Sequence, residues 1–530
     1  MLILIETVMG LLVAVAALAL LARKLPVPYP ILLVFGGLVL GVIPKLPRVN
    51  LTPELVFLVF LPPLLYPAAL FTPWRDFRAN LRPILLLAVG LVLFTTAAAG
   101  FLLHYFIPEL PLAAGFVLGA IVSPPDAIAA MAVAEHVRLP RRIVTILEGE
   151  SLVNDATALV AFRFAVTAVD TGSFSIGQAT TQFFLVALGG IALGLLVGMV
   201  TAWVQKRIDE PSIEITISLL TPFAAYLPAE QLGVSGVLAV VTTGLYHGWR
   251  IPEITSSRSR LQGVPVWQMI EFLLQGFIFL LIGLQLPAVL RQISGHSTLQ
   301  LIEYAAFISV AVILIRILWV FPAAYLPRLL APNNGKSDAF PAWRHVSLVA
   351  WTGMRGVVSL AAALAVPLTI QDGSPFPGRA LILVLTFVVI LATLVVQGLS
   401  LPMLIRWLGI KEDRVAEQEE RKARLKANQS ALARIQQLVS SENFRPETAK
   451  RLSDEYEDRI RQLEISESVD GESQIGLFSS DYERLARETL EIERRTIVQL
   501  RDELVINDEV LRRIQRDIDL AEARLGRENP

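Results

Sequence analysis

Apolar stretches of roughly twenty residues follow one another from the start of the chain to about Gly409, separated by short polar joints. A transmembrane helix needs about 20 predominantly apolar residues to cross the hydrocarbon core of a bilayer. Thirteen such segments are predicted: 3–22, 28–44, 53–72, 83–106, 111–135, 143–169, 178–204, 212–228, 233–249, 266–290, 299–326, 345–367 and 379–408. From Ile410 onward the pattern changes to dense Glu, Arg, Lys and Asp interleaved with Leu and Ile. The chain therefore reads as an all-α polytopic membrane domain, residues 1–409, followed by a helical tail, residues 410–530. In the tail, Ile497, Leu500, Leu504, Leu511, Ile514, Ile518 and Leu525 form an apolar stripe at helical spacing. Asn507 interrupts it, and a helical hairpin is expected over one continuous coiled coil.

Composition agrees with this division. The chain has 530 residues, a mean hydropathy of +0.59, 54% hydrophobic and 18% charged residues, against about 25% charge in soluble domains. A net charge of −1 gives no reason to invoke nucleic acid. Cysteine is absent, which excludes disulfides, thiol chemistry and Cys-ligated metals. The five histidines show no HExxH or comparable metal-binding spacing, and His104, His247 and His345 are read as interfacial. Residues 2–21 carry Glu6 within the apolar run and Arg23 and Lys24 after it, so a retained span is expected rather than a cleaved signal.

Charge in the joints sets the topology. One alternating set of joints holds sixteen Lys and Arg residues, among them Arg75, Arg78, Arg141, Arg142, Lys206 and Arg207; the other set holds four, Lys45, Arg48, Arg291 and Arg379. Under the positive-inside rule this places the N-terminus outside and the tail in the cytoplasm, in the plasma (inner) membrane.

Against this apolar background, the sixth segment is anomalous. LEGESLVNDATALVAFRF carries Glu148, Glu150, Asn154, Asp155 and Arg163. Four charges facing lipid would cost about 10 kcal/mol on insertion scales. They must face protein or water, which marks an ion or proton path. Ser151 and Asp155 share one helical face, and Glu150 and Asn154 form a neighbouring stripe about 100° round. The first pair offers hard oxygen ligands for a small cation; the second reads as support. A buried polar knot that only joins helices is the competing reading, strongest for Glu148. Two other segments are built to break. Pro124 and Pro125 remove two donors from the fifth, and Gly353 and Gly356 flank Arg355 in the twelfth. Opened helices at the membrane midplane are the parts from which transporters build ion sites, and their matching places in two three-span groups point to an inverted repeat. Arg355 is expected to pair with Glu150. Glu271 and Arg316 are expected to pair or line a cavity, and Arg163 to reach outward or find a partner.

The stretches FLPPLLYPAAL (60–70), GAIVSPPDAIAA (119–130), TILEGESLVNDATALV (145–160), WTGMRGVVSLAAALAVP (351–367) and LVVQGLSLPMLIRWLG (394–409) resemble those of the monovalent cation:proton antiporters, specifically the bacterial NhaP/NHE-type sodium/proton exchangers. The resemblance covers essentially all of residues 1–409. It implies about thirteen transmembrane helices with two broken, crossing helices, a core domain (83–169 and 299–408), a dimerisation domain from the remaining spans, and a homodimer working by alternating access. It further implies that Asp155 carries both cation and proton, that Asn154 is its neighbour and that Ser151 is a hydroxyl ligand. The carbonyl of Pro125 would complete the shell, and Glu150–Arg355 would form a structural ion pair. An Asn-Asp rather than Asp-Asp motif goes with electroneutral exchange. No resident cofactor is implied; the partners are Na+, H+, the lipid bilayer and a second copy. Some relatives carry a carboxylate shortly after LPPLL, where this chain has Tyr66, Pro67, Ala68 and Ala69, and a Pro replaces a Thr at 125. That departure leaves Li+ or K+ open as cargo, so K+/H+ exchange by the same machinery stands beside Na+/H+ exchange. A cation channel and an intramembrane enzyme are the readings from other classes. The channel would need a continuous pore, and the enzyme a nucleophile or metal arrangement that is absent from the sequence.

Overall fold

The computed structural model describes residues 2–43 (except 23 and 26), 52–127, 130–131, 139–172, 175–290, 297–330, 341–410, 415–441, 446–465 and parts of 485–522. The chain separates into two compact units, Met1–Glu412 and Asp413–Pro530. Among the described residues the structure is helical, with no strand beyond an isolated bridge between Thr369 and Pro375.

Each segment expected from hydropathy holds a helix or a pair of half-helices. In chain order these are α1 (Leu2–Ala22), α2 (Tyr29–Val42), α3 (Pro53–Phe71), the short α4 (Trp74–Ala79), α5 (Leu81–Phe106), α6 (Leu112–Val122), α7 (Arg141–Thr171) and α8 (Ile176–Gln205). They continue with α9 (Pro211–Gln231), α10 (Gly236–Ile254), α11 (Ser257–Leu290), α12 (Thr298–Leu330), α13 (Trp343–Trp351), α14 (Val357–Leu364) and α15 (Arg379–Leu408). Eight of the described helices are long and apolar enough to cross a bilayer by themselves, and α1, α2 and α6 are shorter apolar helices. Local chemistry sets the ends. The Ser235 hydroxyl accepts from Leu238 N at 3.2 Å to cap α10, and Gly409, at φ +61°, terminates α15 in the left-handed conformation that glycine adopts without strain.

Close helix packing relies on small residues, because lipid offers no hydrophobic drive between helices. The clearest seam joins α2 to α11. A Cβ at Gly283 would lie 1.9 Å from the Val34 carbonyl oxygen, and one at Gly37 would lie 2.0 Å from that of Leu280. The apolar interior falls into two clusters. One gathers residues of α1, α2, α5, α6 and α11–α15 with part of α3; the other gathers the rest of α3 with α9 and α10 around Tyr66, Tyr226 and Trp267. Helix α7 serves both: Leu147 and Phe162 pack in the first, Leu152 and Ala156 in the second. Asp155 sits on that helix where it passes between the two.

The second unit contains α16 (Val415–Ser441) and α17 (Pro446–Ile465), and helical residues at 488–500 and 517–522. Ile497 and Ile518 pack together with Leu490, Val498 and Ile514, and Arg494 bonds Asp519 at 2.8 Å and Glu522 at 2.6 Å. These pairings across Asn507 agree with a hairpin, whose turn lies outside the described residues.

Candidate functional site

Two interrupted helices form the frame of the site. Helix α6 stops at Val122, the chain is non-helical over 123–126, and helix resumes at Ala127. Pro124 and Pro125 explain the break, since neither has an N–H to donate and each ring excludes the preceding turn. Helix α13 stops at Trp351, 352–356 are non-helical, and α14 starts at Val357. The two interruptions bond to each other. Asp126 N donates to the Met354 carbonyl at 2.7 Å, and Arg355 Nε donates to the Val122 carbonyl at 2.9 Å. Gly356 has to be glycine: a Cβ there would lie 1.7 Å from Asp126 Oδ2. Arg355 N also donates to Thr393 Oγ1 on α15 at 3.1 Å, and Arg355 Nη1 to the Gly353 carbonyl.

Helix α7 lies against this frame. Asn154 Nδ2 donates to the Pro125 carbonyl at 2.8 Å, and Ala127 N donates to Ser151 Oγ at 3.4 Å. The Pro125 carbonyl predicted as a cation ligand thus already accepts one hydrogen bond, with a second lone pair left. The two helical stripes separate as their spacing predicts. Ser151 and Asp155 line a cavity, whereas Glu150 and Asn154, at 1% and 0% exposure, point into protein. Asp155 is 6% exposed. Among the described residues no cationic side chain forms an ion pair with it.

Glu150 does not bond to Arg355. Its two oxygens accept from Arg316 Nη1 at 2.6 Å and Nη2 at 2.9 Å, a fully buried bidentate pair between α7 and α12. Arg316 also donates to the Val349 carbonyl at the end of α13. The expected Glu150–Arg355 pair is therefore corrected. Arg355, 1% exposed, instead straps the openings through the backbone carbonyls of Val122 and Gly353. Arg316 was visible in the sequence as a lone charge in an apolar segment, but nothing there names its partner across 166 positions.

The cavity measures about 1620 Å³ and contains three further carboxylates, Asp126, Glu148 and Glu271. Glu271 accepts from Gln275 at 3.0 Å and lines the cavity without pairing with Arg316. Lys24 and Arg406 also line it. Pro67 and Ala68, where some relatives carry a carboxylate, form part of its wall. Arg163 pairs with Glu230 at 2.7 Å, away from the cavity. His247 is not interfacial. It is buried, with Nδ1 2.7 Å from Tyr66 Oη and Nε2 near the Gly198 carbonyl and Thr201 Oγ1.

Residues 10–407 match the family model described as sodium/hydrogen exchanger, transmembrane. The chain is 38% identical to an uncharacterized Na(+)/H(+) exchanger of Mycobacterium tuberculosis over 98% of its own length and 96% of the relative's. It is 36% identical to a sodium, potassium, lithium and rubidium/H(+) antiporter of Bacillus pumilus, over 86% of this chain and 69% of that one. The fold is similar to that of the sodium proton antiporter MjNhaP1 of Methanocaldococcus jannaschii, with a TM-score of 0.59 and 23% identity, covering 76% of this chain and 98% of that chain. The interrupted helices, the acidic α7 and these relatives lead to one conclusion: the chain belongs to the sodium/hydrogen exchanger family of membrane cation/proton antiporters.

Proposed function

We propose that this protein exchanges Na+ for H+ at Asp155 by alternating access. The observation that carries the proposal is the contrast between two carboxylates five residues apart on α7. Glu150 has both oxygens bonded to Arg316, whereas Asp155 faces a cavity with no cationic partner among the described residues. A carboxylate in that position is free to take either a proton or a dehydrated cation. Ser151 Oγ, on the same face, and the remaining lone pair of the Pro125 carbonyl are the nearby oxygens proposed to complete the shell; Asn154 positions that carbonyl. No resident cofactor is required, since the metal ion is cargo.

Coupling follows from charge. An empty, ionised Asp155 carried through an occluded state would be a buried, uncompensated charge, which is strongly disfavoured. Protonated or cation-loaded forms carry no such penalty, so only loaded sites cross. With Asn154 rather than a second acid beside Asp155, one cation replaces one proton and exchange is electroneutral. The moving part in this reading is the core, residues 83–169 and 299–408, and the remaining spans form the dimerisation domain of a homodimer. Exposed apolar residues along α8, including Leu188, Leu196 and Trp203, suit a lipid or partner-facing surface. The charge bias of the joints supports a plasma-membrane protein with its N-terminus outside and its tail in the cytoplasm, and on that orientation the cavity bearing Lys24 and Arg406 faces the cytoplasm.

A second cargo reading, K+ or Li+ in place of Na+, rests on the wall at Pro67 and Ala68. Without a carboxylate there, the site supplies fewer anionic oxygens to discriminate among monovalent cations. The Bacillus pumilus relative carries four alkali cations in its name. The test of the main proposal is Asp155→Asn in everted vesicles loaded with a pH dye. Loss of cation-dependent proton movement by normally inserted protein is expected, and retained exchange removes Asp155 from the carrier role.

A further inference from the structure

We infer that Ser359, on the half-helix α14, supplies an additional oxygen to the transported cation. The inference rests on the reading of Asp155 as the carrier. Ser359 is 1% exposed, and its Oγ is buried with no hydrogen-bond partner. It lines the same cavity as Asp155 and Ser151. A buried hydroxyl without a partner costs about 1–3 kcal/mol, so a residue left in that condition beside a cavity that holds Asp155 and Ser151 marks a place where a ligand or its water completes the bonding.

The local backbone explains why this hydroxyl is available. Helical Ser and Thr in apolar surroundings usually donate to the carbonyl four residues back. Thr352 does so to Leu348, Thr386 to Ile382, Thr393 to Val389 and Ser400 to Val396. For Ser359 the corresponding carbonyl belongs to Arg355, which lies in the non-helical link before α14. Gly356, with φ −143° and ψ −136°, breaks the helical path between them. The interruption of the twelfth span therefore frees a side-chain oxygen as well as backbone groups. Position adds to the argument. Gly356, one turn before Ser359, lies against the Asp126 carboxylate, and the next residue after Asp126 donates its N–H to Ser151. The carboxylate also offsets the partial positive charge of the α14 N-terminus, which would otherwise repel a cation. A neutral hydroxyl is a hard oxygen donor suited to an alkali cation.

The test uses the full-length protein in liposomes, with initial rates measured against Na+, Li+ and K+. Ser359→Ala and Ser359→Cys, the latter keeping the size but offering a poor ligand for hard cations, are each expected to raise the apparent KM for Na+ about three- to tenfold. The maximal rate stays near that of the parent, and more Na+ is needed for the same thermal stabilisation of the purified protein. Ser359→Thr restores both. If either folded variant binds Na+ as the parent does while Asp155→Asn is inactive, the role of Ser359 is overturned and the carrier reading stands. If Asp155→Asn still exchanges, both are overturned. A loss of thermal stability without a change in cation dependence assigns Ser359 a purely structural part and also overturns the inference.

Discussion

Glu150 on α7 and Arg316 on α12 meet through two charge-assisted hydrogen bonds, 2.6 and 2.9 Å long, with both residues at 1% exposure. The pair ties the helix that bears the candidate carrier to the helix that precedes the interrupted twelfth span, and it removes one carboxylate from competition for cations. Removing one partner of a buried ion pair leaves the other charge uncompensated, at about 3–5 kcal/mol. Glu150→Ala and Arg316→Ala should therefore each reduce the yield of folded protein and lower its thermal midpoint in detergent, as read by fluorescence-detected size exclusion. The apolar double replacement Glu150→Leu with Arg316→Met should recover part of that loss. Equal stability of the single variants and the parent would remove the pair from the scaffold.

Competition at one carboxylate fixes a pH dependence. Where protons occupy Asp155, the apparent KM for Na+ should rise by up to about tenfold per unit of acidification, while saturating Na+ restores the rate. Initial rates in liposomes across pH and Na+ concentration check this. A KM that stays constant while the maximal rate falls would place proton and cation on separate groups.

Gly356→Ala puts a Cβ 1.7 Å from Asp126 Oδ2. Because both groups belong to bonded interruptions, relief requires backbone movement, and overpacking of this kind costs about 1–3 kcal/mol or more. Exchange is expected to be lost even where inserted protein is still recovered. Gly10→Ala, where no atom lies within 4 Å of the added carbon, is the matched control and should behave as the parent in the vesicle assay.

Tyr66→Phe removes the hydroxyl that meets His247 Nδ1 at 2.7 Å. An unpaired buried polar atom costs about 1–3 kcal/mol, so the thermal midpoint should fall while the apparent KM for Na+ is unchanged. A shifted KM would instead link this network of α3 and α10 to the cation site.

Much of the frame was legible along the chain because its causes are local. Apolar runs gave the helical segments, Pro124–Pro125 and Gly353–Gly356 gave the interruptions, and the four-residue spacing of Ser151 and Asp155 gave the cavity-facing stripe. What escaped was pairing across long separations. From the sequence Glu150 is expected to pair with Arg355, and periodicity cannot point instead to Arg316, because that pairing depends on where α12 lies against α7. His247 escaped for the same reason: its proximity to a joint suggested an interface, whereas packing of α3, α8 and α10 encloses it. Ser359 gave no signal as a residue type; only the loss of its usual carbonyl partner, a consequence of the link at 352–356, distinguishes it.

The two interruptions are laced together by Asp126 to Met354, Arg355 to Val122, and the bare Gly356 beneath the Asp126 carboxylate. Such a knot does not behave as a pair of hinges. Bending either span at its gap would first have to strip backbone bonds inside a medium that offers no replacement for them. On the alternating-access proposal, Asp155, whose neighbour Asn154 is fastened to the knot, would ride as a passenger in a solid block, and the length of its stroke would be set by the surfaces the block slides along.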